Sequence, residues 1–79
     1  MKKTLGEIAK IIDGKLANES DSEIEIRGLE NISGARSGDL TFAVDPHIEE
    51  AKSSKASAII LPPDVKNFPI PSIHAEDPR

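Results

Sequence analysis

The chain has 79 residues, which is enough for one domain and leaves no room for a second core. Its lack of cysteine excludes disulfides and thiolate metal sites, and its net charge of −4 argues against nucleic acid, whose non-specific affinity comes from Lys and Arg. The longest apolar run, residues 58–61, is far shorter than the ~20 residues of a membrane span. These properties predict a soluble, cytoplasmic protein without a membrane span.

The first predicted element is a helix that begins at Thr4. Thr4 and Glu7 have the spacing of a capping box, in which each side chain accepts a backbone N–H of the other residue. Apolar residues then recur at i, i+3, i+4 and i+7, which predicts one buried helix face: Leu5, Ile8, Ala9 and Ile12. Gly14 is expected to end the helix by adopting the left-handed conformation.

Short strands and turns are predicted to follow this helix. Residues 15–17 suit an edge strand, and the polar residues 18–22 suit a turn. Residues 24–27 alternate between apolar and polar, as in a half-buried strand. The alternation breaks at Gly28, which predicts a β-bulge or a strand end there. Residues 33–39 contain two glycines and are predicted to form a loop.

The next strand is predicted over residues 40–44, followed by a second helix. Asp45 suits the N-cap of this helix, and Pro46 suits its first position, where the missing N–H is not needed. The helix is expected to run to about Lys55, with a thin apolar face. Its acidic residues lie near the start and its lysines near the end, which complements the helix dipole.

The last third of the sequence predicts two more strands. Residues 57–61 are apolar and β-branched, as in a central strand, and the prolines at 62 and 63 end the run. Residues 66–71 are interrupted by proline and are predicted to form a loop, and residues 72–75 form the final strand.

The order of these elements predicts an α/β fold with one small mixed β-sheet and two packed helices. The segment from residue 40 to residue 61 reads as a strand, a helix and a strand. A right-handed βαβ crossover is therefore expected, with its two strands parallel.

The junction between the 40–44 strand and the second helix is the first candidate for a binding site. Strand ends that lead into helix N-termini commonly hold ligands in α/β folds, because unpaired N–H groups and the helix dipole point outward there. Phe42, one of two aromatic residues, lies beside this junction. Its phase with Leu40 and Val44 favours a core role, and a stacking platform for a ligand is the alternative.

The residues offer little support for catalysis or metal binding. A Gly-rich phosphate loop, a serine nucleophile elbow and a two-histidine zinc motif do not occur in the sequence. His47 and Glu50 are three positions apart and can share a helix face, but two ligands do not make a metal site. No catalytic residue, cofactor or metal is therefore predicted.

Several segments resemble, in order and spacing, the N-terminal non-repeat domain of UDP-3-O-acylglucosamine N-acyltransferase, a family of lipid A biosynthesis. They are residues 4–9, 26–29, 35–42, 55–61 and the Asp-Pro at 77–78. The resemblance covers nearly the whole chain. It implies an α/β domain that binds the uridine of a UDP-linked acyl-glucosamine substrate.

In that family the local pattern is T-F-x-x-N-P-x-Y, whose two aromatics flank the uracil. The resemblance implies that Phe42 is a stacking ring and Pro46 a turn residue. Asp45 stands in place of the Asn and Ile48 in place of the Tyr, and His47 is the neighbour able to replace the second ring in part. The implied substrate-binding residues are Phe42, Asp45, Pro46, His47 and Ile48.

The family transfers its acyl group with a histidine base in a left-handed β-helix of hexapeptide repeats, through which trimers form. These 79 residues contain no such repeats. The resemblance therefore implies that an acyl carrier protein and a trimer are partners only through that missing domain.

Two other interpretations stay open. One is the N-terminal domain of a Mur ligase, which shares the turn and strand Gly-Asp-Leu-x-Phe, here residues 38–42, and also meets a UDP-linked substrate. The other is a non-catalytic interaction module that has lost nucleotide binding. The replacements at Asp45 and Ile48 motivate the second alternative.

Overall fold

The computed structural model of the protein describes residues 2–44, 46–65 and 67–75. Its elements are seven short strands, two α-helices and one 3-10 helix within these ranges. In order they are β1 (Lys3–Thr4), α1 (Leu5–Ile11), β2 (Lys15–Leu16), a 3-10 helix (Glu19–Asp21), β3 (Glu25–Ile26), β4 (Gly28–Leu29), β5 (Asp39–Phe42), α2 (Ile48–Ala51), β6 (Ala58–Leu61) and β7 (Ser72–His74).

The main sheet has five strands in the order β2-β7-β6-β5-β4. Strands β4 to β7 run parallel to their neighbours, and β2 pairs with β7 in the antiparallel sense at one edge. The predicted α/β class, with a mixed sheet and two helices, is confirmed. The parallel pairing of β5 with β6, in which Phe42 lies beside Ile60, agrees with the predicted crossover.

The prediction of a single sheet is wrong, because β1 and β3 form a separate two-stranded antiparallel sheet. The predicted interruption at Gly28 marks the place where the chain passes from one sheet to the other. On one side of Arg27, Ile26 pairs with Lys3 in the small sheet. On the other side, Gly28 begins β4, which pairs with β5.

The core consists of two apolar clusters on opposite faces of the main sheet. Successive residues of β6 point to opposite faces, and all four of them are buried, as expected for a central strand. The first cluster packs under α1 and contains Leu5, Ile8, Ala9, Ile26, Leu40, Ala58, Ile60, Ile73 and Ala75. The second lies on the α2 side and contains Ala43, Ala51, Ile59, Leu61 and Ile70.

Helix α1 begins as the sequence predicts. The N–H of Glu7 donates to Thr4 Oγ1 at 3.2 Å, and the N–H of Thr4 donates to Glu7 Oε1 at 2.9 Å, so both bonds of the capping box are present. The backbone and hydroxyl hydrogen bonds from Thr4 lower the pKa of the Glu7 carboxyl, because they stabilise its charged form.

The end of α1 differs from the prediction at Gly14. The residue in the left-handed region is Asp13, with φ of 57°, so the expectation for Gly14 is wrong. Gly14 serves close packing instead, since a β-carbon there would lie 2.5 Å from Ile73 Cγ2 on β7. Its N–H donates to the Ala9 carbonyl oxygen at 2.8 Å, which closes the helix end.

Helix α2 is much shorter than the predicted 45–55 segment. Pro46 lies in a turn before the helix rather than at its first position, because the His47 N–H donates to the Val44 carbonyl oxygen at 2.8 Å. His47 is the N-cap and makes no side-chain capping bond; the predicted cap, Asp45, lies outside the described residues. Of the helical residues only Ala51 is buried, so packing stabilises a single turn.

None of the helices in the described ranges is long and apolar enough to cross a membrane. Within the same ranges, no three acidic or histidine side chains are grouped so that they could hold a metal ion.

Candidate functional site

Phe42 lies at the carboxyl end of β5, and its ring is half exposed. Its strand neighbours Leu40, Thr41 and Ala43 are each 2% exposed, whereas Phe42 is 46% exposed. The core role that strand phase favours for this ring is therefore wrong. The ring is instead an exposed apolar surface at the edge where parallel strands end, the usual ligand position in open α/β sheets.

The exposure of Phe42 follows from how far α1 covers the sheet. Leu40 and Phe42 point to the same face, but Leu40 packs in the first cluster under α1 and Phe42 does not. Leu29, which pairs beside Leu40 on β4, is likewise 66% exposed. An open, mainly apolar cleft of about 590 Å³ results, with Leu29, Phe42 and Ile60 among its walls.

A second cleft, of about 350 Å³, is also lined by Phe42 and includes His47. The structure thus brings together two of the predicted site residues. His47 Nδ1 lies 3.4 Å from Glu50 Oε1, so the predicted sharing of a helix face is confirmed. Both side chains are largely exposed, and the carboxylate can orient the imidazole toward the cleft.

Of the other predicted residues, Pro46 and Ile48 lie outside both clefts. Pro46 is exposed in the turn before α2 and lines neither cleft beside Phe42. Ile48 is half-buried and packs against the second cluster, so its side chain contributes to the support of α2. Asp45 lies outside the described residues.

Sequence reasoning missed the wall that faces Phe42, which comes from the segment after β4. Asn31 lines both clefts, and Ser33 lines the one that contains His47. Asn31 Oδ1 accepts the Gly34 N–H at 2.7 Å and the Ser33 hydroxyl at 3.2 Å, which fixes this segment as a tight turn. The Asn-x-x-Gly spacing at residues 31–34 is the signal that could have located the turn.

One buried polar group adjoins the site. Thr41 Oγ1 is buried and has no hydrogen-bond partner among the described residues. An unsatisfied buried hydroxyl costs about 1–3 kcal/mol, so the residue next to Phe42 is held at an energetic cost.

Comparison with known proteins supports a family assignment. Residues 23–79 match the family described as UDP-3-O-(3-hydroxymyristoyl) glucosamine N-acyltransferase, LpxD. Proteins named UDP-3-O-acylglucosamine N-acyltransferase are 32% identical over 77 residues in Alcanivorax borkumensis and 38% identical over 77 residues in Dechloromonas aromatica. A protein of the same name in Geobacter sp. strain M21 is 39% identical over 62 residues.

These three alignments cover 95%, 95% and 77% of this chain, in the order given above. They cover 22%, 22% and 17% of the relatives, so the chain spans about a fifth of the length of the proteins it matches. The family match includes strands β3 to β7 and Phe42. The chain belongs to the LpxD family of UDP-3-O-acylglucosamine N-acyltransferases.

Proposed function

We propose that this domain recognises the nucleotide of a UDP-linked acyl-glucosamine for an acyltransferase of the lipid A pathway, with the uracil stacked on Phe42. The observation that carries the proposal is the half-exposed ring on a strand whose neighbouring residues are buried. Family membership supports the substrate class, because the relatives are named for a UDP-linked acylglucosamine.

The geometry suits a flat base. Stacking of a base on an aromatic side chain contributes about 1–3 kcal/mol in single-strand nucleic-acid binders. Strand β5 fixes the backbone of Phe42, and a phenylalanine side chain has only two rotatable angles to order on binding. His47 lines the same cleft and is the residue we propose as the second planar contact, in the place of the family's Tyr.

The catalytic step is proposed to lie outside these residues. In the full-length relatives we place the histidine base, the acyl carrier protein contact and the trimer interface in the repeat domain, and the whole protein in the cytoplasm. Family membership favours this interpretation over the Mur ligase alternative. A scaffold that has lost nucleotide binding stays the rival hypothesis, and the following experiments separate the two.

The first experiment is an NMR titration of the domain with UMP and UDP-N-acetylglucosamine. We expect weak, saturable binding, with amide shifts clustered over residues 41–48. Ribose 5-phosphate, which has no base, is the control ligand and is expected to leave these amides unshifted. Unchanged spectra at millimolar nucleotide would count against the proposed function.

Variants of Phe42 test the platform directly. Phe42→Ala is expected to weaken UMP binding about thirtyfold, the middle of the range for a lost stacking contact, and Phe42→Leu is expected to do so less. Ile11→Ala is the matched control, because Ile11 is an apolar side chain 66% exposed on α1, away from both clefts. Wild-type affinity in a folded Phe42→Ala variant would overturn the platform.

A further inference from the structure

A third cleft, of about 440 Å³, lies between the segment after Asn31 and the end of α2. It is more polar than the clefts beside Phe42. Two cationic side chains, Arg36 and Lys55, line it together with the side chains of Ser33, Ser53 and Ser54. A guanidinium and an ammonium on one concave surface are groups that bind phosphate oxygens. Of the three hydroxyls, those of Ser33 and Ser54 already donate to Asn31 Oδ1 and to the Ile32 carbonyl oxygen.

Hydrogen bonds fix both walls of this cleft. The Ser54 hydroxyl donates to the Ile32 carbonyl oxygen at 3.1 Å, which ties the segment after α2 to the segment after β4. The Arg36 N–H donates to Asp39 Oδ2 at 3.0 Å, and the Asp39 N–H donates back to the Arg36 carbonyl oxygen at 2.9 Å. Since the Arg36 backbone N–H is already paired, recognition of an anion falls to the side chains.

The charge of the cleft contrasts with that of the chain, whose net charge is −4. Lys2, Arg27 and Lys52 each lie within 4 Å of a glutamate carboxylate. Arg36 and Lys55 form no ion pair within the part of the chain that the structure describes. The cleft also includes one carboxylate, that of Glu50, which lies 3.4 Å from His47 Nδ1.

The cleft is continuous with the proposed base site. Ile32, Ser33 and Glu50 line both this cleft and the one that contains Phe42 and His47. A nucleotide whose base stacks on Phe42 can therefore extend its phosphates along this surface toward Arg36. We infer that Arg36 and Lys55 bind the diphosphate of the nucleotide, an inference that rests on the proposed function.

The two cations suit different parts of this contact. The guanidinium of Arg36 presents a planar fork that can bind two phosphate oxygens, whereas the ammonium of Lys55 acts as a point charge. Both side chains are exposed, so each is expected to contribute modestly and to be weakened by salt.

The experiment measures dissociation constants for uridine, UMP and UDP by NMR on wild type, Arg36→Gln, Lys55→Gln and Lys10→Gln. Lys10 is the matched control, an exposed lysine on α1 that does not line this cleft. In wild type we expect affinity to rise from uridine to UMP to UDP. Arg36→Gln and Lys55→Gln are each expected to weaken UDP about three- to tenfold and to leave uridine within about twofold.

Two outcomes separate a failure of this inference from a failure of the proposed function. If uridine binds but UDP binds no tighter, or if both cleft variants keep wild-type affinity for UDP, the diphosphate site is wrong and the base platform stands. Pyrophosphate alone is expected to shift the amides of residues 33–36 and 53–55. If it does so while uridine does not bind, the anion site stands and the nucleotide function is wrong.

Discussion

Phe42 and Leu40 share one face of β5 and differ in exposure, at 46% and 2%. Leu40→Ala is expected to lower the free energy of unfolding by about 2–5 kcal/mol, because it leaves a cavity in the first cluster. Phe42→Ala is expected to cost about 1 kcal/mol, since much of the ring is already in water. Urea denaturation followed by circular dichroism measures both values. Equal losses would mean that Phe42 packs as tightly as Leu40 in solution.

Thr41 is buried with its hydroxyl unsatisfied by any described residue. Thr41→Val replaces that hydroxyl with a methyl group of similar size. We expect the free energy of unfolding to rise by about 1 kcal/mol, because the desolvated hydroxyl no longer lacks a partner. Thr41→Ser is the control, because it keeps the hydroxyl and loses the methyl group, and it is expected to destabilise. A less stable Thr41→Val variant would show that the hydroxyl has a partner in the native protein.

At the scale of elements, the capping box stabilises the start of α1. Thr4→Ala removes the N-cap side chain and is expected to lower the free energy of unfolding by about 1 kcal/mol near neutral pH. Melting temperatures of wild type and variant give the comparison. Ser20→Ala, in the exposed turn of the 3-10 helix, is a control expected to have a smaller effect.

The pH dependence of α1 follows from the lowered pKa of Glu7. The folded-state pKa lies below the unfolded value of about 4.3, so the carboxylate stabilises the fold above that value. This stability is lost as the pH falls through the folded pKa. Glu7→Gln is therefore expected to have a shallower loss of melting temperature between about pH 5 and pH 3 than wild type. An identical slope in both proteins would contradict the role of Glu7.

The elements that the sequence predicts well are those set by nearby residues. Helix α1 follows from the Thr4–Glu7 spacing and its apolar period, although Ile12, predicted on the buried face, is the C-cap and is 37% exposed. The separate sheet does not, because Thr4 pairs with Glu25 and nothing in residues 3–4 signals a strand. Helix α2 is over-predicted, since good end signals at Asp45 and Pro46 do not compensate for the scarcity of apolar surface.

In the candidate site, too, local sequence locates some residues, whereas other features depend on contacts between distant segments. Phe42 and His47 were located from the strand, the turn and the family resemblance. The exposure of Phe42 depends on where α1 stops covering the sheet, which local pattern does not reveal. The cleft of Arg36 and Lys55 depends on the bond between Ser54 and Ile32, which are 22 positions apart.

At the scale of the whole molecule, β6 joins the two apolar clusters. Ala58 and Ile60 belong to one cluster, and Ile59 and Leu61 belong to the other. Loss of either cluster removes the packing of β6 for the other, so we expect a single cooperative unfolding transition.

Fluorine NMR can test this cooperativity, because the chain has two phenylalanines and they report on opposite faces. Phe42 lies on the α1 face, and Phe68 packs against the second cluster. With 4-fluorophenylalanine at both positions, the two native signals are expected to disappear at the same urea concentration. Phe42→Leu identifies which signal is which. Separate midpoints would show that the two faces unfold independently.

The two outer strands of the main sheet, β2 and β4, are each two residues long. Such short edge strands offer an incoming chain few unpaired peptide groups, which makes them a poor template for aggregation. The most apolar segment, β6, is the central strand of the five. An apolar β-branched residue in place of Glu30, just after β4, would lengthen this edge strand and expose the protein to edge-to-edge growth of β-structure.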